Sequence, residues 1–454
     1  MNPPLGERFA LLTDLYQLTM AACYFEEGMH EEATFSLFIR KYPPNRGYFV
    51  AAGLAEALTY LETLRFTPDD LAYLDSTRLF KTKFLDYLKT VRFTGQVHAL
   101  PEGGIFFKDE PVLEVSAPII EAQLAETFII NAVSLQTLIA SKAARSTHVA
   151  QGRPLVDFGL RRTQGTDAGL KAARASYLAG FAGTSNVLAG KLYGLPTFGT
   201  MAHSYITSFP HEIDAFRVFA RVFPQTATLL IDTYDNIPGA RHAAKVAQEM
   251  AARGEKLGYV RLDSGDIAAI SKEVRKILDD NGLDYVRILA SGGFDEFKMA
   301  QVLEAGGLVD SFAVGTKMGV SADAPYFDCA YKLVKYGSRP VMKLSTGKVT
   351  LADKKQIYRF YDDRGRMAQD VIALRQEALP GGAPLLQKVM DRGRITAPLP
   401  TLQESREYFL SQFALLPEPY KALHDPPAYP VSLSPGLTDL QARLEQEIKQ
   451  READ

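Results

Sequence analysis

The sequence predicts an α/β fold: a parallel sheet closed, or nearly closed, into a barrel, with a second structural unit beside it. Three observations predict it. From residue 155 onward, short apolar runs alternate with stretches of helical spacing; the runs are 155–158, 196–198, 228–231, 257–262, 285–290 and 310–314. Each run has the length and the Gly/Pro boundaries of a buried strand and then stops in polar residues. The chain has 454 residues, more than one hydrophobic core usually holds. Such alternation implies parallel strands joined by crossover helices. Six repeats suit a barrel, and a doubly wound open sheet fits the same alternation.

The helices of this region are clearest at 238–253, 267–280 and 294–305. Pro238 stands where a first-turn proline belongs, and Gly254 and Gly282 stand where helices stop. Between the first two runs, 168–181 has helical spacing, and Gly183-Thr-Ser-Asn opens a second short helix.

The earlier part of the chain reads differently. Thr13 or Asp14 caps a helix carrying Tyr16 and Thr19. Spacing alone makes Tyr16 a core residue. Strands are expected at 34–39, ending in Arg40-Lys41, and at 47–52; a paired Arg-Lys there suits phosphate or simply solvent. Helical patches follow to residue 91, then strands at 93–100 and 112–116. Residues 119–150 are strongly helical and mostly apolar, too long for an ordinary globular helix. This stretch is expected to bend, or to bridge the two units. His148 near its end is assigned no role. After Pro325 the pattern turns to strands at 331–336, 340–344, 356–361 and 367–374, with a hairpin turn at Asp362-Asp363-Arg364-Gly365. Lys343, Lys348, Lys354 and Lys355 crowd this part. The tail from Leu402 is helical apart from a proline-rich loop at 425–435.

Composition narrows the function. With 46% apolar and 23% charged residues the chain is an ordinary soluble globular protein, and its net charge of −2 provides no general attraction for nucleic acid or anionic membrane. Any anionic ligand must be held by a local cluster. Cys23 and Cys329 have neither metal nor disulfide spacing, which fits a reducing compartment. No apolar run is long enough for a bilayer, and the N-terminus lacks the basic-then-apolar order of a signal peptide. A cytoplasmic location is expected, with no nucleic acid and no membrane as partner.

The strand ends share one character: Arg161 and Arg162; Thr200 and His203; Asp232, Thr233, Tyr234 and Asp235; Arg261, Asp263, Ser264 and Asp266; Ser291, Gly292 and Gly293; Gly315, Thr316 and Lys317. Six polar strand ends in register suggest one rim where these groups converge. The turns at Gly292-Gly293 and Gly315-Thr316 let backbone N–H groups approach a phosphate. The arginines suit carboxylate or phosphate, and Asp263 and Asp266 suit ribose hydroxyls or Mg²⁺; a helix cap is the plain alternative for Asp266. His203 follows a strand beside Thr200 and Ser204, a position that suits catalysis as well as structure. There is no HExxH, no paired cysteine, no Walker loop and no GxGxxG after the first strand, so zinc hydrolase, NTPase and classical dehydrogenase readings are disfavoured.

Seven blocks in order carry a resemblance over nearly the whole chain. They are Thr13-Asp-Leu-Tyr-Gln-Leu-Thr-Met, Phe-Ile-Arg-Lys at 38–41, Asp-Phe-Gly-Leu-Arg-Arg at 157–162, Gly-Thr-Ser-Asn at 183–186, Gly-Thr-Met-Ala-His-Ser at 199–204, Arg-Leu-Asp-Ser-Gly-Asp at 261–266 and Ser-Gly-Gly-Phe-Asp at 291–295. With these the chain resembles the nicotinate phosphoribosyltransferases. The resemblance implies a type II phosphoribosyltransferase fold: an irregular α/β barrel with an α+β domain formed from the N- and C-terminal parts. The divisions expected are 1–150, with the long helix; 151–328, the barrel; and 329–454, packing with the N-terminal part. It further implies a head-to-tail homodimer with shared active sites, joining nicotinate to phosphoribosyl pyrophosphate with Mg²⁺ on the pyrophosphate and ATP as co-substrate.

The same resemblance implies residue roles. His203 becomes a transient phosphohistidine. Phe158 stacks on the pyridine ring, with the partner subunit's Tyr16 on the other face, and Arg161 holds the carboxylate. Thr200, Ser204, Arg261 and Asp263 contact substrate. Gly292, Gly293, Gly315 and Thr316 cradle the 5′-phosphate, and Arg40 and Lys41 face the pyrophosphate. Ser185 stands where nicotinamide-using relatives carry aspartate, which favours nicotinate. Ala352-Asp353 departs from the family's usual Pro-Gly, so no role is given to Lys354 and Lys355. The rivals are a nicotinamide or quinolinate phosphoribosyltransferase, a barrel lyase or isomerase of a phosphorylated sugar, and a non-catalytic phosphate-binding regulator.

Overall fold

Five of the six apolar runs of the middle region become strands, with most of their residues buried. The computed structural model describes residues 9–345 and 350–452. Lys348 and the first eight residues of the signal-peptide reading lie outside them. The chain divides into two compact units, 142–325 and 1–141 together with 326–454.

Unit 142–325 holds six parallel strands: β1 (Leu155–Asp157), β2 (Gly183–Thr184), β3 (Thr228–Leu230), β4 (Tyr259–Leu262), β5 (Arg287–Ala290) and β6 (Ser311–Val314). Their order is β2-β1-β6-β5-β4-β3. Every residue of β6 and the last three of β5 are buried, as a sheet flanked by helices requires. The helix Ile267–Asp280 buries Ile267, Ala268, Ser271, Val274 and Leu278, one stripe at helical spacing. Burying each aliphatic side chain of this kind contributes about 1.5–3 kcal/mol.

Two expectations need correction here. Residues 196–198 are not a strand; only Thr197 forms a bridge, to Thr184. The second strand is instead Gly183–Thr184, in the segment expected to start a helix. The helix begins later, at Val187–Tyr193, where Asn186 accepts from the Ala189 N–H. Two residues without an apolar run leave no periodicity to read.

The other unit interleaves both ends of the chain. A seven-stranded sheet runs Arg339–Pro340, Cys329–Tyr336, Glu32–Ile39, Leu113–Pro118, Gln96–Ala99, Gln387–Asp391, Arg394–Ile395, all neighbours antiparallel. A four-stranded sheet runs Ala383–Pro384, Lys355–Tyr361, Met367–Leu374, Val431–Leu433. The last pairs in parallel and lies in the expected proline-rich loop. The long helical stretch splits at Ala125 into Ile119–Leu124 and Glu126–Val149, and the division between units falls inside the second.

Lys354 and Lys355 are engaged within this unit. Lys355 is buried against Glu114 at 3.0 Å, and Lys354 pairs with Glu32 at 2.6 Å. Glu114 also accepts from Ser36 Oγ at 2.5 Å and from Arg375. Burial opposes charge on Glu114, but Lys355 and Arg375 overcome it and hold its carboxyl below the usual range.

Candidate active site

The carboxyl ends of β1, β3, β4, β5 and β6 carry the polar groups that the strand-end pattern anticipated, whereas Thr200 and His203 follow residues that form no strand and lie in a loop and in the short helix His203–Thr207; Arg261 binds several of these groups together. On β4, Val260 and Leu262 are buried on one face, which turns Tyr259 and Arg261 to the other. Arg261 Nε donates to Ser291 Oγ at 2.8 Å. Nη1 donates to Thr200 Oγ1 at 3.0 Å and to the Met201 carbonyl at 3.2 Å, and Nη2 donates to Asp263 Oδ1 at 2.6 Å. One guanidinium thus ties the ends of β4 and β5 to the loop at 200–201. Its carbon lies 5.5 Å from the centroid of the Phe158 ring, a cation–π distance.

Asp263 Oδ1 also accepts the Ser291 hydroxyl. Burial works against its charge, but the Ser291 hydrogen bond and the Arg261 guanidinium outweigh burial and keep its pKa below the usual carboxylate range. Asp263 is therefore ionised at neutral pH. Its Oδ2 lies 3.8 Å from His203 Nε2. His203 opens the short helix His203–Thr207 with 45% of its side chain exposed. Its Nδ1 shares a 3.1 Å hydrogen bond with Thr233 Oγ1. Next to Thr233, Asp232 is buried; its Oδ2 accepts from Ser264 Oγ at 2.5 Å and from the Asp263 N–H at 3.2 Å. Asp232 Oδ1 is buried with no hydrogen-bond partner among the described residues.

At the end of β1, the buried Asp157 acts as a clamp. Its Oδ1 accepts the Gly159 N–H and its Oδ2 the Thr184 hydroxyl, both at 2.7 Å. Burial raises its pKa, and both hydrogen bonds pull it back. The clamp fixes the turn bearing Phe158 and the following turn Leu160–Arg162, on which Arg161 and Arg162 are exposed. Ser185 joins them, because its N–H donates to the Asp157 carbonyl at 2.8 Å.

Gly292 and Gly293 both have left-handed backbones, φ +91 and +69. A Cβ on Gly292 would fall 1.8 Å from the Asp263 carbonyl oxygen, so only glycine fits there. Gly315 packs against the Phe158 carbonyl, and Thr316 is exposed at the start of Thr316–Gly319. Two cations border these turns. Lys298 Nζ donates to the Gly292 carbonyl at 2.6 Å, and Lys317 pairs with Asp295 at 2.9 Å. Burial, and then Lys317, lower the Lys298 pKa.

Phe158, Thr200, His203, Arg261, Asp263, Gly292 and Gly315 are thus brought together, with Arg161 and Ser185 adjoining through the Asp157 clamp. Ser204 is exposed on the His203 helix. Tyr16, Arg40 and Lys41 belong to the other unit. Tyr16 is exposed, not a core residue, and its phenol is pushed up to about 12 by burial and then by Glu126. Arg40 pairs with Asp328 at 3.3 Å, and Lys41 is exposed. Asp266, Asp235 and Asp295 cap helices, accepting from the Ala269, Ile237 and Lys298 N–H groups. Sequence reasoning assigned no role to Asp157, Thr233 or Lys298; an acidic residue ending a buried strand was the available signal for the first.

Models of the nicotinate phosphoribosyltransferase N-terminal domain, family and C-terminal domain match residues 11–134, 154–341 and 382–441. The nicotinate phosphoribosyltransferase pncB2 of Mycobacterium tuberculosis is 47% identical over 437 residues, 96% of this chain and 94% of that protein. The chain belongs to the nicotinate phosphoribosyltransferase family. The Bacillus subtilis nicotinate phosphoribosyltransferase is 35% identical over 483 residues, 98% of each chain. The crystal structure of human nicotinic acid phosphoribosyltransferase superposes with a TM-score of 0.84 at 30% identity, covering 95% of this chain and 99% of that one. A nicotinate-nucleotide pyrophosphorylase from Pyrococcus furiosus gives 0.74 at 26%, covering 91% and 97%. The type II phosphoribosyltransferase fold expected from the family's sequence blocks is the fold observed. Five of those seven blocks, from 157–162 to 291–295, lie in unit 142–325, four of them at strand ends and 199–204 in the loop and short helix that Arg261 ties to β4.

Proposed function

We propose that the protein transfers the phosphoribosyl group of phosphoribosyl pyrophosphate to the ring nitrogen of nicotinate, giving nicotinate mononucleotide and pyrophosphate in NAD salvage. The observation that carries this reading is the Arg261 hub. It holds the Asp263 carboxylate, the Phe158 ring and Ser291 at the head of the glycine turn, groups from the ends of β4, β1 and β5, as an anionic sugar and a flat base require.

The transfer passes through an oxocarbenium-like state, so catalysis consists of holding two anions and leaving the ribose carbon open to the ring nitrogen. Gly292, Gly293, Gly315 and Thr316 hold the 5′-phosphate through backbone N–H groups. Arg261 has its nitrogens engaged within the protein and acts by fixing Asp263, whose Oδ2 accepts from ribose hydroxyls. Thr200 and Ser204 border the same space. Phe158 covers the pyridine, and Arg161 pairs with its carboxylate. The Ser185 hydroxyl tolerates a carboxylate that aspartate would repel. Arg40 and Lys41 hold pyrophosphate in a homodimer whose shared sites take the partner subunit's Tyr16 against the base.

Mg²⁺ would suit Asp232 Oδ1, a hard, buried carboxylate oxygen with no hydrogen-bond partner among the described residues. Among the described residues no group of three His, Cys, Asp or Glu side chains could hold an ion, so pyrophosphate oxygens would supply the remaining ligands. Held there, Mg²⁺ would supply charge neutralisation of the leaving pyrophosphate. ATP enters as co-substrate through transient phosphorylation of His203. No helix among the described residues is long and apolar enough to cross a membrane, and a cytoplasmic site of action is proposed.

The test is base consumption by the purified protein with phosphoribosyl pyrophosphate and Mg²⁺. Nicotinate should be converted, faster with ATP, and nicotinamide should not. Comparable use of both bases, or of neither, contradicts the proposal. His203→Ala should lose ATP stimulation and keep slow ATP-independent transfer.

A further inference from the structure

We propose that Lys298 is a positioning residue for the sugar 5′-phosphate: by holding the Gly292 carbonyl it keeps the peptide between Gly292 and Gly293 turned with its N–H toward that anion. This rests on the reading of the Gly292-Gly293 turn as a phosphate cradle. Lys298 lies in the first turn of the helix Glu296–Glu304, and its Nζ donates to the Gly292 carbonyl at 2.6 Å. The buried Phe294 ring has its centroid 4.5 Å from the same nitrogen, a cation–π distance, so the ammonium is held from two directions. The neighbouring cation is already paired: Lys317 meets Asp295 at 2.9 Å, whereas no carboxylate comes within ion-pair distance of Lys298 among the described residues.

A peptide between two glycines needs such a hold. In a trans peptide the C=O and the following N–H point in opposite directions. The group that grips the Gly292 carbonyl therefore decides where the Gly293 N–H faces. Gly292 is confined, since a Cβ there would fall 1.8 Å from the Asp263 carbonyl oxygen, but a Cβ on Gly293 would meet nothing within 4 Å. The Gly293 side of this peptide has room to rotate, and glycine carries no Cβ to resist it. Rotated half a turn, the peptide would present the Gly292 carbonyl oxygen to the phosphate, and the two would repel. The Gly293 N–H has no acceptor among the described residues, and the residue is exposed, so this donor is left for an outside partner. A cation on the carbonyl also polarises the peptide and makes that N–H a stronger donor to an anion.

Calorimetric titration of the full-length protein with nicotinate mononucleotide, and with nicotinate riboside, which lacks the 5′-phosphate, isolates what the phosphate contributes. Wild type should bind the mononucleotide more tightly than the riboside. Lys298→Met should weaken the mononucleotide about tenfold and leave the riboside within about twofold of wild type. Lys298→Arg, which returns a donating cation to the carbonyl, should bind the mononucleotide within about threefold of wild type. In turnover, the loss in Lys298→Met should appear in KM for phosphoribosyl pyrophosphate and not in KM for nicotinate. Equal weakening of both ligands in Lys298→Met would show a general structural role and overturn the proposal, and so would an unchanged mononucleotide affinity. If wild type binds both ligands equally, the reading of the glycine turn as a phosphate cradle itself falls.

Discussion

Gly292→Ala and Gly293→Ala form a pair of neighbouring substitutions with opposite expected outcomes. Both glycines have positive φ, so either alanine carries about 1–2 kcal/mol of left-handed strain. They differ in space. A Cβ on Gly293 meets nothing within 4 Å, whereas one on Gly292 falls 1.8 Å from the Asp263 carbonyl oxygen. An ordinary carbon–oxygen contact is about 3.3 Å, so the two backbone segments must separate by about 1.5 Å (3.3 − 1.8). Asp263 and Ser291, the two partners of Arg261 on those segments, move with them. A misplacement of about 1 Å in an active site costs about 100-fold. Gly292→Ala should therefore lower kcat/KM for phosphoribosyl pyrophosphate at least about 100-fold, and Gly293→Ala less than about tenfold. Steady-state titration at saturating nicotinate, with urea unfolding of both variants, measures this. Equal effects of the two, or Gly292→Ala within about threefold of wild type, would refute the reasoning.

Ser185→Asp places a carboxylate beside that of nicotinate and should shift the nicotinate-to-nicotinamide kcat/KM ratio at least about 100-fold toward nicotinamide; an unchanged ratio removes Ser185 from base selection. Glu114→Ala leaves the buried Lys355 without its carboxylate and should cost about 3–5 kcal/mol by urea unfolding; a loss under about 1 kcal/mol denies the cluster its structural role. His98 is held down to about 4 by burial and by Arg375 Nη1, which donates to its Nδ1 at 2.9 Å. Its ordinary value is 6.5, so between pH 6.5 and 4 the unfolded chain binds a proton that the folded chain refuses. Stability should fall as pH drops through that window, and His98→Gln should flatten the fall. Identical pH slopes in the two proteins would contradict this.

Much of this arrangement was legible because burial leaves a periodic trace. The helix Ile267–Asp280 falls where the spacing placed it, since it has one clearly apolar face, and the strand Met367–Leu374 lies at the expected residues too. Asp266 as a cap followed from its position before a helix. The two-residue strand Gly183–Thr184 left no trace, being held by pairing with β1 rather than by its own side chains. Val431–Leu433 was hidden by its prolines. The site was legible as a list of strand ends, but not as a network. Nothing in the spacing says that Arg261 spends its nitrogens on Ser291, Thr200, Met201 and Asp263, or that Thr233 meets His203. Apart from Arg261–Asp263, those contacts join residues about 30 to 60 positions apart and exist only after folding.

The central claim is that the strand ends of the parallel sheet form one phosphoribosyl-binding rim. A crystal structure of the protein with nicotinate mononucleotide tests it most directly. The account predicts the 5′-phosphate on the Gly292-Gly293 and Gly315-Thr316 turns, ribose hydroxyls at Asp263, the pyridine against Phe158 and its carboxylate at Arg161. A nucleotide bound elsewhere, with those side chains unchanged and facing solvent, would contradict it.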